Sequence, residues 1–240
     1  MATYKEQVKA FEERMRSIDG QTRFFDLARF PWVQDVEAHW REVRAECDGM
    51  FRALDLLPGY EDIQIESLEL SDDGRWKIVP FWAYGRALHD NLRRCPHTAA
   101  ALALIPGLRS AMFSILLPGK VLPRHRGPYA GVLRHHLAVT VPEPALCGIE
   151  VGGDERAWVE GRSLVFDDTH MHRAWNHGSQ TRVVLFTDFD RPLAPPLDAY
   201  NREIIRRMGD SPFIVDAMER WRQWEALYGA RVDALLAGRG

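Results

Sequence analysis

Nine histidines occur in the 240-residue chain, and six of them (His125, His135, His136, His170, His172 and His177) fall within 53 residues. Imidazole suits iron, copper, nickel and zinc, and the common non-haem iron(II) arrangement is two histidines plus one carboxylate with open positions. A single histidine is most often a surface or core residue, so the case rests on pattern. His125 stands in Pro123-Arg124-His125-Arg126-Gly127-Pro128, which reads as a turn between two strands. His172 stands in Phe166-Asp167-Asp168-Thr169-His170-Met171-His172-Arg173-Ala174-Trp175, read as the end of a strand. Both are places where a small barrel presents ligands at its mouth. Two residues past His125 comes Gly127, which has no donor, so a complete facial triad is missing. Asp167 and Asp168 stand five and four residues before His172, and whether a carboxylate such as Asp168 completes the metal shell stays open at this point. Cys47, Cys95 and Cys147 are odd in number and far apart, which leaves neither a disulfide framework nor a C-x-x-C motif.

Ten residues after His172, Arg182 opens the run Arg182-Val183-Val184-Leu185-Phe186. Strand alternation puts Arg182, Val184 and Phe186 on one face, so the guanidinium points into the interior. Buried, it needs an anion, and its fork suits a carboxylate held by two bonds. An internal pair with Asp188, or an edge arginine facing water, stays open at this point. Arg134 and His136 share a strand face while His135 points away. Ser114 stands where a strand hydroxyl could bond the same anion.

These residues need a scaffold. Tyr4, Val8, Phe11 and Met15 recur at helical steps, as do Val36, Trp40, Val43, Cys47, Phe51 and Leu54, so the first 55 residues read as helix. Strands are predicted near 76–84, 110–117, 131–141, 147–151, 156–159, 163–167 and 181–189, with a short helix near Thr98–Leu104. Beyond Pro195-Pro196 the pattern turns helical again, with Ile214, Met218, Trp221 and Leu227 as its apolar stripe. The reading is mainly β with flanking helices, a sandwich or barrel. Its parts are an N-terminal support over 1–60, a core over 61–193 and C-terminal helices over 194–240.

Composition narrows the class. The net charge of −3 provides no basic surface for nucleic acid or anionic lipid, and 46% hydrophobic with 27% charged residues is an ordinary globular mix. No apolar run approaches the roughly 18 residues a membrane span requires. The N-terminus Met1-Ala2-Thr3-Tyr4-Lys5-Glu6 is too polar for a signal peptide, so a cytoplasmic, membrane-free protein is expected.

Ser114-Ile115-Leu116-Leu117-Pro118-Gly119, His125-Arg126-Gly127-Pro128, Leu133-Arg134-His135-His136-Leu137, Phe166-Asp167-Asp168, His172 and Arg182 follow one another in an order that resembles the aspartyl/asparaginyl β-hydroxylase family. Trp76-x5-Trp82-x2-Gly85 and Ile105-Pro106-Gly107 extend the resemblance to about residues 25–193. It implies a double-stranded β-helix, or jelly-roll (cupin-like), core and a dioxygenase that uses Fe(II), 2-oxoglutarate and O2. His125 and His172 would be the iron ligands, Gly127 standing where other oxygenases place a carboxylate. Ser114 and Arg182 would hold the far carboxylate of 2-oxoglutarate, with His136 close by. Arg134 would face the substrate, with Trp82 and Trp175 as further lining. The implied reaction is β-hydroxylation of an aspartyl or asparaginyl side chain, free, carrier-bound or in a peptide, releasing succinate and CO2. Tyr129-Ala130-Gly131 and about 45 C-terminal residues depart from the family pattern and leave the substrate open. Rival readings are a radical halogenase, an acyl-chain hydroxylase and a non-catalytic 2-oxoglutarate or metal sensor. The C-terminal helices are read as packing, a lid or a homodimer contact.

Overall fold

The computed structural model describes residues 4–238, so Met1–Thr3 and the signal-peptide question lie outside the described residues, as do the side chains of Tyr4 and Lys5. Helices α1 (Tyr4–Asp19), α2 (Trp32–Ala38), α3 (Trp40–Met50) and α4 (Tyr60–Ile63) lead into strand β1 (Trp76–Ala83) and the short β2 (Arg86–Ala87). Helices α5 (His89–Arg94) and α6 (Pro96–Ala103) follow. Then come β3 (Leu108–Leu116), β4 (Val121–His125), β5 (Val132–Thr140), β6 (Cys147–Val151), β7 (Asp154–Arg156), β8 (Ser163–Phe166), β9 (His172–Asn176) and β10 (Arg182–Asp190). Helices α7 (Leu197–Gly209) and α8 (Pro212–Leu236) close the chain.

The strands form two antiparallel sheets, a larger one ordered β2-β1-β3-β10-β5-β8 and a smaller one ordered β4-β9-β6-β7. From β3 onward the pairs nest: β3 with β10, β4 with β9, β5 with β8 and β6 with β7. One long hairpin has thus been folded over so that its rungs alternate between two facing sheets. This is the double-stranded β-helix, or jelly roll, which encloses its interior by closing on itself. β1 and β2 widen the larger sheet beyond the smaller one, and that overhang matters for the site.

Helices α2 and α3 cover the outer face of the larger sheet. His135, pointing outward, packs its ring 5.1 Å from Trp32 and bonds Thr187 Oγ1 and Ser163 Oγ, each at 3.0 Å. The Trp40 indole N–H donates to the carbonyl of Val139 at 3.1 Å. At the other end, α8 is pinned by buried Arg94, which bonds Glu225 at 2.7 Å and Asp233 at 2.8 Å. The Trp224 N–H donates to Leu56 O.

Four elements differ from the sequence expectation, and the first is β7, which spans Asp154–Arg156 where a strand was expected near 156–159. β4 is a strand although it contains Pro123, because it lies at the edge of the smaller sheet, where a register shift between Leu122 and His125 absorbs the missing N–H. β9 is a full strand whose buried positions are His172, Ala174 and Asn176, so its inner face lacks the apolar alternation that marks a strand in sequence. In α8 the buried stripe runs Ile214, Met218, Trp221 and Trp224, whereas Leu227 is 75% exposed. At 100° per residue, six steps from Trp221 turn Leu227 well off that face.

Candidate active site

His125 and His172 are direct partners across the β4–β9 ladder, with ring centroids 4.1 Å apart. Each Nδ1 lies near a backbone oxygen of its own strand approach, His125 at 2.8 Å from Pro123 O and His172 at 3.0 Å from His170 O. Donation from Nδ1–H leaves both Nε2 lone pairs for a metal, the arrangement by which histidine ligands are commonly oriented. Burial holds the His172 ring down at about 3, helped by His125 and Arg134, and burial also lowers His125. Both rings are therefore in the neutral, ligating form. Among the described residues no group of three His, Cys, Asp or Glu is placed to hold a metal ion, so a metal on this histidine pair would have no third such donor beside it.

Gly127 shows why no third donor stands beside them. A Cβ there would lie 1.9 Å from Asp168 Oδ2, and the Gly127 N–H donates to Asp168 O at 2.7 Å. Asp168 fills the space a side chain at 127 would need. Its carboxyl is pushed up to about 7 by burial, against the pull of Arg134. Asp167 stabilises the turn: its Oδ1 accepts from Thr169 N and Oγ1, and its other oxygen is bonded by Arg191. The loop after His125 is fastened to α7, where the Tyr129 hydroxyl donates to Asn201 Oδ1 at 2.6 Å and Asn201 Nδ2 donates to Gly131 O at 2.7 Å. The departure Tyr129-Ala130-Gly131 thus docks a C-terminal helix.

Deeper along the same face sits Arg182, 2% exposed. Its guanidinium lies 4.5 Å over the Trp158 ring and donates to Ser114 O at 3.3 Å, while its Nε has no partner. Desolvation, with no neighbouring carboxylate to offset it, drags its pKa down to about 9. The open alternatives close: Asp188 pairs with Arg134 instead, and Arg182 does not face water. Ser114 Oγ accepts from Trp76 Nε1 at 3.0 Å, which leaves the hydroxyl proton to donate. His136, among Phe166, Phe186 and Trp158, has both ring nitrogens buried without a partner. An uncompensated buried cation, a hydroxyl with its proton to donate and an orphaned imidazole, gathered around Trp158, suit a small dicarboxylate, since buried polar groups need partners. The residues present therefore fit 2-oxoglutarate at this end and a metal on the histidine pair.

Arg134 is already engaged, bonding Asp188 at 2.9 and 3.3 Å and lying 2.8 Å from Asp168, with its guanidinium 4.1 Å over Phe186. Beyond it the inner face continues onto the β1–β3 overhang, roofed by α4 and α8. The partly open cavity, of about 180 Å³, is walled by Ile63, Ile78, Leu88, Ala217, Met218 and Trp221, with Arg134, Asp188, Trp82 and Gln64 as polar lining.

Strand alternation thus brings His125, His172, His136, Arg134, Ser114 and Arg182 to one interior, and Trp82 to its extension. Trp175 is a correction. It alternates with buried His172 and Ala174 on β9, so it faces away from them, against Gly148 and His177. His177 and His170 lie off the site, His170 lending only its backbone oxygen. Sequence reasoning gave no site role to Trp158, a lone aromatic outside any strand, or to Trp76, which it quoted only as part of a motif, whereas α8 over the cavity corresponds to the lid among its readings of the C-terminal helices.

Residues 37–192 match the family described as Aspartyl/Asparaginyl beta-hydroxylase. Over 216 residues the chain is 41% identical to an ornithine lipid ester-linked acyl 2-hydroxylase of Rhizobium tropici, covering 90% of this chain and 77% of that protein. It is 30% identical to the aspartate beta-hydroxylase domain-containing protein 2 of Mus musculus, over 67% of this chain and 48% of that one. Against the human aspartyl/asparaginyl beta-hydroxylase the identity is 28%, covering 68% of this chain and 22% of the relative. The chain therefore spans about half or less of the two mammalian relatives. With about two thirds of its length matched, this chain belongs to the aspartyl/asparaginyl β-hydroxylase family.

Proposed function

We propose that the protein is an iron(II)- and 2-oxoglutarate-dependent hydroxylase whose substrate carries an acyl chain. The observation that supports this reading is the continuity of one sheet face, which carries the histidine pair and unpaired Arg182 at one end and an apolar cavity at the other. The name of the Rhizobium tropici relative points the same way. Iron with 2-oxoglutarate and O2 supplies hydroxylation of an unactivated C–H bond, with succinate and CO2 as coproducts. His125 and His172 hold the metal through Nε2. Arg182 and the Ser114 hydroxyl hold the far carboxylate, and the Trp158 ring beneath the guanidinium fixes its plane. Arg134 stays locked between Asp168 and Asp188, forming the polar border between the metal and the cavity. The cavity would take the chain and exclude water from it, with the metal held by His125 and His172 supplying the hydroxylation chemistry.

A second reading, hydroxylation of an aspartyl or asparaginyl side chain, draws on Arg134 lying in the cavity wall and on the names of the mammalian relatives. Arg134 would then trade a carboxylate of its own for that of the substrate. The deciding experiment is anaerobic Fe(II) reconstitution with 2-oxoglutarate, followed by O2 and by succinate and product mass measurement. Acyl amino acids and Asp- or Asn-containing peptides form the two arms. Turnover of peptides alone would establish the second reading. Tight 2-oxoglutarate binding with no succinate in either arm would make the protein a sensor, and a chloride-dependent product a halogenase.

A further inference from the structure

Among the described residues one non-glycine residue has a left-handed backbone, Tyr84, at φ 44°. With Gly85, at φ 89°, it forms the two-residue turn between β1 and β2, closed by the Ala83–Arg86 pair. Such a turn favours asparagine, aspartate or glycine at its first position, so a tyrosine there carries strain that its surroundings must enforce. The Tyr84 N–H donates to Arg109 O at 2.5 Å. The end of α7 packs on the turn so closely that a Cβ at Gly209 would lie 2.9 Å from Tyr84 O. Arg86 fastens that contact by bonding Gly209 O and Asp210. Strain of this kind collects where a side chain must be held in one place for a ligand.

The place is the polar border of the cavity. Ala83, Ser110, Asp188 and Arg134 are successive partners across β1, β3, β10 and β5, and all four line the cavity together with Tyr84. Burial, then the carboxylates of Asp188 and Asp168, hold the Tyr84 phenol well above its ordinary value, so it stays protonated. Its hydroxyl makes no hydrogen bond among the described residues, whereas that of Tyr129 donates to Asn201. Building on the acyl-chain reading, we propose that the Tyr84 hydroxyl donates to the carbonyl oxygen of an acyl ester and so fixes the polar end of the chain at this border. Arg134, the cation of the same row, is held by Asp188 and Asp168. A phenol that stays protonated suits a neutral acceptor, and the strained turn aims it from the cavity wall.

The test uses two ligands that differ in one carbonyl, O-dodecanoyl lactate and the O-dodecyl ether of lactate. Both are titrated calorimetrically, without O2, into protein loaded with Fe(II) and 2-oxoglutarate. The wild type is expected to bind the ester about fivefold more tightly than the ether, the scale of one neutral hydrogen bond. Tyr84→Phe, which keeps the ring and removes the hydroxyl, brings that ratio close to one and leaves the melting temperature of the ligand-free protein unchanged. Equal binding of the two by the wild type overturns the proposal while leaving the acyl reading intact. So does an unchanged ratio in Tyr84→Phe, which would give the carbonyl to another donor such as Ser110. A lower melting temperature in that variant would assign the hydroxyl to the fold and overturn it as well. If neither ligand binds, the acyl reading falls with it.

Discussion

Two stretches of one sheet face behave oppositely. Under the smaller sheet the inner face of β3, β5 and β10 is polar and underbonded, with Arg182 buried beside no carboxylate and both ring nitrogens of His136 lacking partners. Under α8 the face of β1 and β3 is apolar and filled out by Ile78, Met218 and Trp221. The first region forgoes stability to keep donors ready for an anion, and the second gains stability by covering apolar surface it has not entirely filled. Arg134 forms the boundary between them, hydrogen-bonded to Asp188 and ion-paired with Asp168, whose carboxyl oxygens have no hydrogen-bond partner.

Perturbing each region separately should break or sharpen this contrast. The largest effect on activity is expected from His172→Ala or His125→Ala. Partners outside the metal shell cost about 10–100-fold in affinity or activity, so loss of a direct ligand should exceed that, read by metal titration and succinate formation. Neither ring bonds beyond its own strand approach, so circular dichroism should stay unchanged. A chain that kept full metal affinity would move the metal elsewhere.

Arg134→Met attacks the boundary and strands two buried carboxylates, for an expected loss of about 3–5 kcal/mol in urea unfolding. A near-neutral result would show that the two acids take up a proton between them instead. Arg182→Met tests the underbonded end. Affinity for 2-oxoglutarate should fall at least tenfold, about 1.4 kcal/mol, while the melting temperature holds or rises because an uncompensated buried cation is gone. Met218→Ala, on the apolar side, should do the reverse: a cavity cost of about 2–5 kcal/mol in stability, weaker acyl binding and unchanged 2-oxoglutarate affinity. If the two variants shift both ligands alike, the regions are not separable.

The smallest effect concerns pH. Burial holds His135 down at about 3, far below its unfolded value near 6.5. The unfolded chain takes the proton first, so stability is full above about 6.5 and declines as pH falls toward 3. His135→Gln should flatten that slope in thermal melts between pH 6.5 and 4.5, and an unchanged slope would assign it to other groups.

Much of the scaffold was legible. Strands β1, β3, β5, β6, β8 and β10 announce themselves by aromatic and β-branched runs, since a buried strand must be filled. β4 and β9 escaped, although they carry both proposed ligands, because a strand that builds a polar site replaces apolar residues with histidine and asparagine and loses its periodic signal. The inward orientation of Arg182 and the opposed faces of His135 and His136 followed from alternation alone. The exchange of partners at Arg134 did not, because Asp168 arrives from a loop 34 residues away in sequence.

The sequence by itself determined the family resemblance, the mainly β core between helices, and which side of each long strand faces inward, all consequences of local spacing and side-chain period. Only the tertiary structure decided that His125 and His172 meet across one ladder, that Asp168 occupies the space beside Gly127, and that α8 closes an apolar cavity over the β1–β3 overhang. Those facts depend on which distant segments share a volume. That is set by the nested closure of the hairpin and the packing of helices upon it, and no window of residues contains it.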